Sequence, residues 1–427
     1  METRLSCYGQ RSTEPSPVSR MMASFARGFR DGVDINLGVG YVNEKTIPVA
    51  WIQEAMQAVA AHPVKYRQAF NYGSPAGSAN LVASLRSFIG RMRIGGLDDA
   101  TLDRKRLIIG ACGATSLLDG LTDVLPPGIV VTSDPMYYIY CETLERKGFQ
   151  VLAVREDGEG PELDALERKL AGLGAGAAAI SFFYFVTVNN PSCTILSNAR
   201  RRALLEVAAR LSREQHRQIP IIYDLAYELL LHDAAHEPFL SVLPDDDLDI
   251  AYEIGTLSKV LAPALRMGYM LGPDGALLNA MVQKTSDTGF SAPLFVQEMA
   301  SYLLDERVVE QLAAVNAGYR AKAEATRAGI EDQLGAHLQE CRGGSAGFYY
   351  YLTFERVETH PASRFFRHLT REGPGARVYY VPGEYCVHPH GDLALTGRRQ
   401  LRLSYGFEEV PRILEALALM REAVAHS

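Results

Sequence analysis

The sequence predicts an α/β fold: a large domain on a mostly parallel sheet covered by helices on both faces, joined to a smaller α+β domain. Two patterns carry this expectation. From about residue 105, apolar runs of strand length recur at 107–109, 129–132, 151–154, 178–185, 219–223 and 251–255, and stretches of helical periodicity lie between several of them, at 115–124, 163–170 and 199–211. Repetition of strand, helix and strand implies parallel strands buried on both faces, with any site in the loops at their carboxyl ends. After a long helical region over 294–334, strand-like runs at 347–354, 378–381 and 400–405 and a closing helix over 410–425 form the second unit.

The elements before residue 105 follow from local pattern. Residues 1–30 are polar, with Pro15, Pro17 and several serines, and read as a flexible or partner-embracing arm. Residues 35–40 are short, apolar and end in glycines, as a strand entering a tight turn would be. A helix is expected over 49–61, because Pro48 suits its first turn and Trp51, Ile52, Ala55, Met56 and Val59 recur at helical spacing. Residues 71–77 form a Gly/Pro loop, and Leu81, Leu85, Phe88 and Ile89 mark one side of the helix after it.

A chain of 427 residues has room for two or three domains, and 47% hydrophobic with 22% charged residues is an ordinary globular composition. The net charge of -7 argues against general affinity for nucleic acid or anionic membrane, although a few local cations can still bind a small anion. Six scattered cysteines, with no Cys-x-x-Cys pair and no histidine at metal spacing, predict reduced thiols in a cytoplasmic protein and no metal site. Neither a signal peptide nor an apolar run long enough to span a membrane is legible.

Chemistry concentrates at strand ends. Thr256-Leu257-Ser258-Lys259 follows an apolar run, and Arg266 comes shortly after it. A lysine beside an arginine and small hydroxyls is what a phosphorylated aldehyde cofactor requires: the amine forms an imine while guanidinium and hydroxyls hold the phosphate. Alone, a Ser-Lys pair reads equally as a solvated surface lysine. Asp224 and Tyr227 end another apolar run; a carboxylate there needs a cation, such as a protonated pyridine nitrogen, or serves as a helix cap. Residues 110–116 are small and lie between strand and helix, where backbone amides can approach a phosphate. Tyr137 could place its ring over a flat heterocycle or simply fill a core. Asn190 offers an amide after the run at 182–185, and Arg402, inside an apolar strand, requires an anion: a substrate carboxylate or an ordinary buried salt bridge.

With these residues in this order, the chain from about Ile35 onward resembles the class I/II aminotransferases, which are fold-type I enzymes dependent on pyridoxal 5′-phosphate (PLP). The resemblance implies a three-layer PLP-dependent transferase fold, with a mostly parallel seven-stranded sheet in the large domain. It implies an arm over 1–34, small-domain segments over 35–64 and 306–427, and a PLP-binding domain over 65–305. It assigns Lys259 as catalytic and Gly113, Ala114, Thr115, Thr256 and Arg266 to the phosphate. Tyr137 would stack on the ring, Asn190 and Tyr227 would contact its phenolic oxygen, and Asp224 would hold its nitrogen. Gly40, Asn190 and Arg402 would receive the substrate carboxylate. Tyr72 would reach the neighbouring subunit's phosphate and, with a loop over 285–291, complete a homodimer's shared sites.

The departures concern substrate and reaction. The family's Asn-Pro-Thr-Gly turn is here Asn190-Pro191-Ser192-Cys193, residues 182–185 are unusually aromatic, and no second arginine stands out for a side-chain carboxylate, with Arg155 and Arg342 the remaining candidates. The implied reaction is transamination between an α-amino acid and a 2-oxo acid through a Lys259 Schiff base and quinonoid and ketimine intermediates. The alternative keeps every residue and changes the fate of the carbanion: lyase, cyclase or γ-substitution chemistry of secondary metabolism, in which S-adenosylmethionine is one candidate substrate. A ligand-sensing transcriptional regulator on the same fold is the third reading, disfavoured by the acidic charge and the lack of a helix-turn-helix pattern in the first 30 residues.

Overall fold

The strands Ile129–Asp134, Ile180–Val186, Ile221–Asp224 and Ala251–Thr256 are buried along their whole length, which is why each reads as an unbroken apolar run and not as an alternating one. In the computed structural model, which describes residues 3–427, they form the centre of one sheet. Its order is Lys105–Ile109, Gly268–Pro273, Ala251–Thr256, Ile221–Asp224, Ile180–Val186, Ile129–Asp134, Gln150–Asp157 and Gly160–Pro161. Seven longer strands match the expected count, six of them at the apolar runs located in the sequence, and a two-residue eighth extends one edge. The five strands from Ala251–Thr256 to Gln150–Asp157 run parallel; Gly268–Pro273 is antiparallel to both its neighbours. Val186 lies opposite Asp224 and Asp224 opposite Ile254, so the carboxyl ends of three adjacent strands come level.

A second sheet of four strands, in the order Leu338–Gly343, Tyr349–Phe354, Gln400–Ser404 and Val381–Pro382, is antiparallel throughout. The helices Val308–Leu334 and Val410–Ala425 pack together beside it. Ile35–Asn36 pairs in parallel with Val378–Tyr379, which ties the N-terminal segment to this half of the molecule.

Four local expectations need correction. The helical region over 294–334 is two helices, Leu294–Glu306 and Val308–Leu334, broken at Arg307, whose backbone (φ -130°) is non-helical and whose guanidinium holds Glu54. The run at 378–381 is two short strands serving different sheets. Residues 285–289 close the helix Ala276–Gly289 and are not loop. The arm is not unstructured either. It carries the helices Cys7–Arg11 and Pro17–Gly28, the second capped by Ser16, whose hydroxyl accepts from the Ser19 amide. Val18, Met21 and Phe25 fall on one helical stripe and are buried, and Phe25 packs on the chain's own smaller half, its ring 3.9 Å from that of Tyr379. A polar average concealed that stripe.

The strands Gly268–Pro273 and Leu338–Gly343 were not anticipated; the first is bracketed by glycines and a proline, and the second is a half-exposed polar edge. Phe25→Ala should lower the free energy of unfolding by about 3 kcal/mol, as for other aromatic truncations in a core. Chemical denaturation checks this, and an unchanged midpoint would mean that the arm docks elsewhere.

Candidate active site

Where the carboxyl ends of the parallel strands meet the smaller half, a cleft of about 650 Å³, counting its open mouth, is lined by Ala114, Thr115, Tyr137, Asn190, Asp224, Tyr227, Thr256, Lys259 and Arg266, among others. Nine residues singled out from sequence are therefore brought to one place. They arrive from five segments at strand ends: Ala114 and Thr115 after Lys105–Ile109, Tyr137 after Ile129–Asp134, Asn190 after Ile180–Val186, Asp224 and Tyr227 at the end of Ile221–Asp224, and Thr256, Lys259 and Arg266 at the end of Ala251–Thr256.

At one end the helix Gly113–Val124 begins with no side chain capping its first turn, so its leading amides are free to meet an anion. Gly113 is required there. It has φ +65°, and a β-carbon would come 2.9 Å from Arg266 Nη2. Arg266 itself adopts φ +52°, uncommon for a side-chain-bearing residue, which turns its guanidinium back onto the Pro263 and Cys112 carbonyls at 3.1 and 3.4 Å, beside that helix start. Thr256 Oγ1 donates to Met267 O and accepts from the Ser258 amide, and both hydroxyl residues line the cleft.

Deeper in, Asp224 ends its strand almost wholly buried. Its carboxylate accepts from Tyr184 Oη at 2.8 Å and from the Ala226 amide at 3.0 Å, and no cation hydrogen-bonds to it. Burial pushes its carboxyl up to about 6 against the opposing pull of Tyr184, the Ala226 amide and the charge of Lys259. Lys259 Nζ donates to Gly40 O at 3.2 Å and stands 5.5 Å from the Tyr227 ring centre. Burial first, then the positive charges of Arg402 and Arg266, lower its amine to about 8.

Arg402 settles the two sequence readings in part. Its guanidinium is buried and meets no carboxylate: Nη1 donates to Asn190 Oδ1 at 2.7 Å, Nη2 to Gly38 O at 2.5 Å, and Nε is buried with no partner. An ordinary salt bridge is thus not its role. Gly40 is brought to Lys259, and Asn190 to Arg402. Tyr72 is not brought to this cleft; it is 76% exposed, with its ring 5.2 Å from that of Phe290.

Sequence reasoning missed Tyr184 and Tyr349, while Ser258, quoted with Thr256 as a phosphate-binding hydroxyl, lines the cleft. Tyr184 was visible as a hydroxyl inside the aromatic run at 182–185, where a buried phenol needs a partner. Tyr349 lies in a run of three tyrosines that reads only as strand; its hydroxyl meets that of Tyr227 at 2.9 Å. All six cysteines are free, and among the described residues no group of His, Cys, Asp or Glu is arranged to hold a metal ion. No helix among them is long and apolar enough to cross a membrane.

The profile of the family described as Aminotransferase class I and II matches residues 33–417. An uncharacterized aminotransferase of Saccharolobus solfataricus is 20% identical over 395 residues, 92% of each chain. The aromatic-amino-acid aminotransferase 1 of Thermococcus litoralis is 23% identical over 394 residues, 91% of this chain and 88% of that protein. The crystal structure of a multiple substrate aminotransferase from Thermococcus profundus superposes with a TM-score of 0.84 at 22% identity, covering 99% of this chain and 97% of that one, a likeness of fold. With the profile spanning nearly the whole chain, the chain belongs to the class I and II aminotransferases, PLP-dependent enzymes that transfer amino groups.

Proposed function

We propose that the protein transfers the amino group of an α-amino acid to a 2-oxo acid, with Lys259 as the residue that bonds the cofactor and carries the proton. The observation behind this reading is the convergence of Lys259, Asp224 and Arg266 in one cleft.

The cleft suits PLP on three counts. Asp224 is a buried carboxylate with no cation bonded to it, which fits a protonated ring nitrogen. Arg266, Thr256 and the open amides from Gly113 to Thr115 fit a dianionic phosphate. The Lys259 amine, its charge suppressed by burial, fits an aldehyde carbon. When bound, the cofactor supplies an electron sink for the pair released as the substrate Cα–H bond breaks.

The chain's own residues do the rest. Tyr184 and the Ala226 amide fix Asp224, which keeps the proton on the ring nitrogen. Tyr137 would cover a face of the ring, and Tyr227 and Asn190, which line the same cleft, would meet its phenolic oxygen. Arg402, oriented by Asn190 and Gly38, receives the substrate carboxylate beside Gly40. Once the substrate amine displaces it from the cofactor, Lys259 Nζ would be free to take the proton from the substrate Cα and hand it back on the cofactor side. Arg155 is engaged by Glu162, and Arg342 by Glu340 and Glu156, so neither candidate for a second carboxylate is free, which favours donors with uncharged side chains.

A homodimer is part of the same reading. Phe70 and Tyr72 are 79% and 76% exposed, and with Val64 and Phe290 they leave an aromatic surface that a second copy would cover, carrying Tyr72 to the other subunit's phosphate. Sedimentation should give a dimer, and an active monomer would refute this part.

Borohydride reduction of the PLP-loaded protein should leave a pyridoxyl group on Lys259, and Lys259→Ala should abolish both the label and turnover. Amino donors should convert the bound cofactor to pyridoxamine 5′-phosphate, read by absorbance; failure with every donor would favour elimination, substitution or cyclisation instead. Asp224→Asn should cost about 100-fold or more in kcat, the scale of losing one charge-stabilising group. Arg402→Ala should chiefly raise KM, by about 30-fold. Because the folded Lys259 amine is depressed, its neutral form grows as pH rises through about 8. PLP capture by cofactor-stripped protein should therefore accelerate up to that pH and level off, and a rate still climbing toward 10.5, the ordinary lysine value, would contradict the assignment.

A further inference from the structure

We infer that Tyr349 is a positioning residue that sets both the Tyr227 hydroxyl and the Arg402 guanidinium. This rests on the reading of the cleft given above.

Tyr349 opens the strand Tyr349–Phe354 of the small sheet, next to the strand that carries Arg402, and it is fully buried. Its ring centre lies 4.3 Å from Arg402 Cζ, closer than any other ring to that guanidinium. The plane of an arginine against an aromatic face is held by dispersion and by the ring quadrupole, and both grow when water is excluded. Arg402 can then turn only within the slot set by this ring, Asn190 Oδ1 and Gly38 O.

The Tyr349 hydroxyl does a second job. A buried phenol requires a hydrogen-bond partner, and the one it has is Tyr227 Oη, at 2.9 Å. Tyr227 follows a strand of the large sheet, so this bond joins the two halves across the cleft. Either hydroxyl can donate in this pair; when Tyr349 does, Tyr227 is left to aim its own proton at the cleft, and a hydroxyl that accepts one hydrogen bond is a better donor in the next. The third contact is steric. A β-carbon on Gly40 would sit 2.6 Å from Tyr349 Oη, so glycine at that position lets the hydroxyl lie against the backbone whose carbonyl accepts from Lys259. One side chain thereby touches the lysine's backbone acceptor, the phenol beside it and the arginine. Phenylalanine would supply the stack but not the bond, and an aliphatic residue would supply neither.

The test separates the two roles. The visible absorbance of the Lys259-bound cofactor is titrated with pH in the parent protein, Tyr349→Phe and Tyr349→Leu, and the affinity of an unreactive carboxylate, 3-phenylpropionate, is measured in each. A donor to the phenolic oxygen favours its negative charge and loosens the proton on the neighbouring nitrogen. Tyr349→Phe should thus move the titration upward by about half a pH unit, with carboxylate affinity unchanged. Tyr349→Leu should show the same upward shift and bind the carboxylate about 10-fold more weakly. Borohydride labelling of Lys259 is run on all three proteins. If all carry the label and Tyr349→Phe titrates like the parent, or Tyr349→Leu binds the carboxylate like the parent, the role of Tyr349 is overturned while the assignment of Lys259 stands. If the parent itself carries no label, both fall together.

Discussion

A carboxylate at the end of a fully buried strand is unstable as an ion until a cation comes to it, and the organisation of this cleft follows from that condition at Asp224. Burial raises its carboxyl to about 6, and the phenol of Tyr184 and the amide of Ala226 offset only part of the effect. Lys259 is under the opposite pressure: burial and two arginines drive its charge off, and Asp224 helps to keep it. Each group is thus held near the edge of ionisation by the same dry surroundings. Lys259 so placed suits chemistry in which a proton has to leave and return near neutral pH, while Asp224 suits a carboxylate that becomes a stable ion once a cation is beside it.

The sheet topology makes this arrangement possible. Parallel strands present their carboxyl ends on one edge, and the register sets Asp224 beside Val186 and Ile254. The residues that follow the strands, Asn190, Tyr227, Lys259 and Arg266, are therefore gathered in space although far apart in sequence. Arg402 has a different origin. It stands in the middle of an antiparallel strand and reaches the cleft only because the small sheet abuts the large one. Its two hydrogen bonds go to Gly38 and Asn190, so the surroundings of Arg402 form only when the N-terminal segment, the turn after Ile180–Val186 and the small sheet are assembled together.

What could be read from sequence alone divides along the same line. The central strands were legible because burial on both faces leaves an unbroken apolar run, and their site residues were legible because motif and strand end coincide. Strands without that signature escaped: Gly268–Pro273 is punctuated by glycine and proline, and Leu338–Gly343 alternates weakly at an exposed edge. The amphipathic stripe of Val18, Met21 and Phe25 was hidden by a polar average over the arm. Tyr349 escaped for a different reason. Its importance lies wholly in contacts with Gly40, Tyr227 and Arg402, distant in the chain, and a tyrosine in a strand of tyrosines carries no local mark of them.

The turn after Asn190 shows how a departure from the family pattern can leave the backbone turn in place. Cys193 takes the place of a glycine and still adopts φ +51°, a left-handed conformation that costs a side-chain-bearing residue about 1–2 kcal/mol. The turn persists because its amide donates to Asn189 O at 2.6 Å and because the space for its sulfur lies opposite a glycine: a β-carbon on Gly347 would come 2.9 Å from Cys193 Sγ. The side chain is buried behind the cleft, and the cleft lining does not include it. Asn190 accordingly keeps its bond to Arg402, and the added sulfur packs the wall against the strand that begins at Tyr349. The cysteine fills space between the turn and Gly347, while Asn190 stays in the cleft lining.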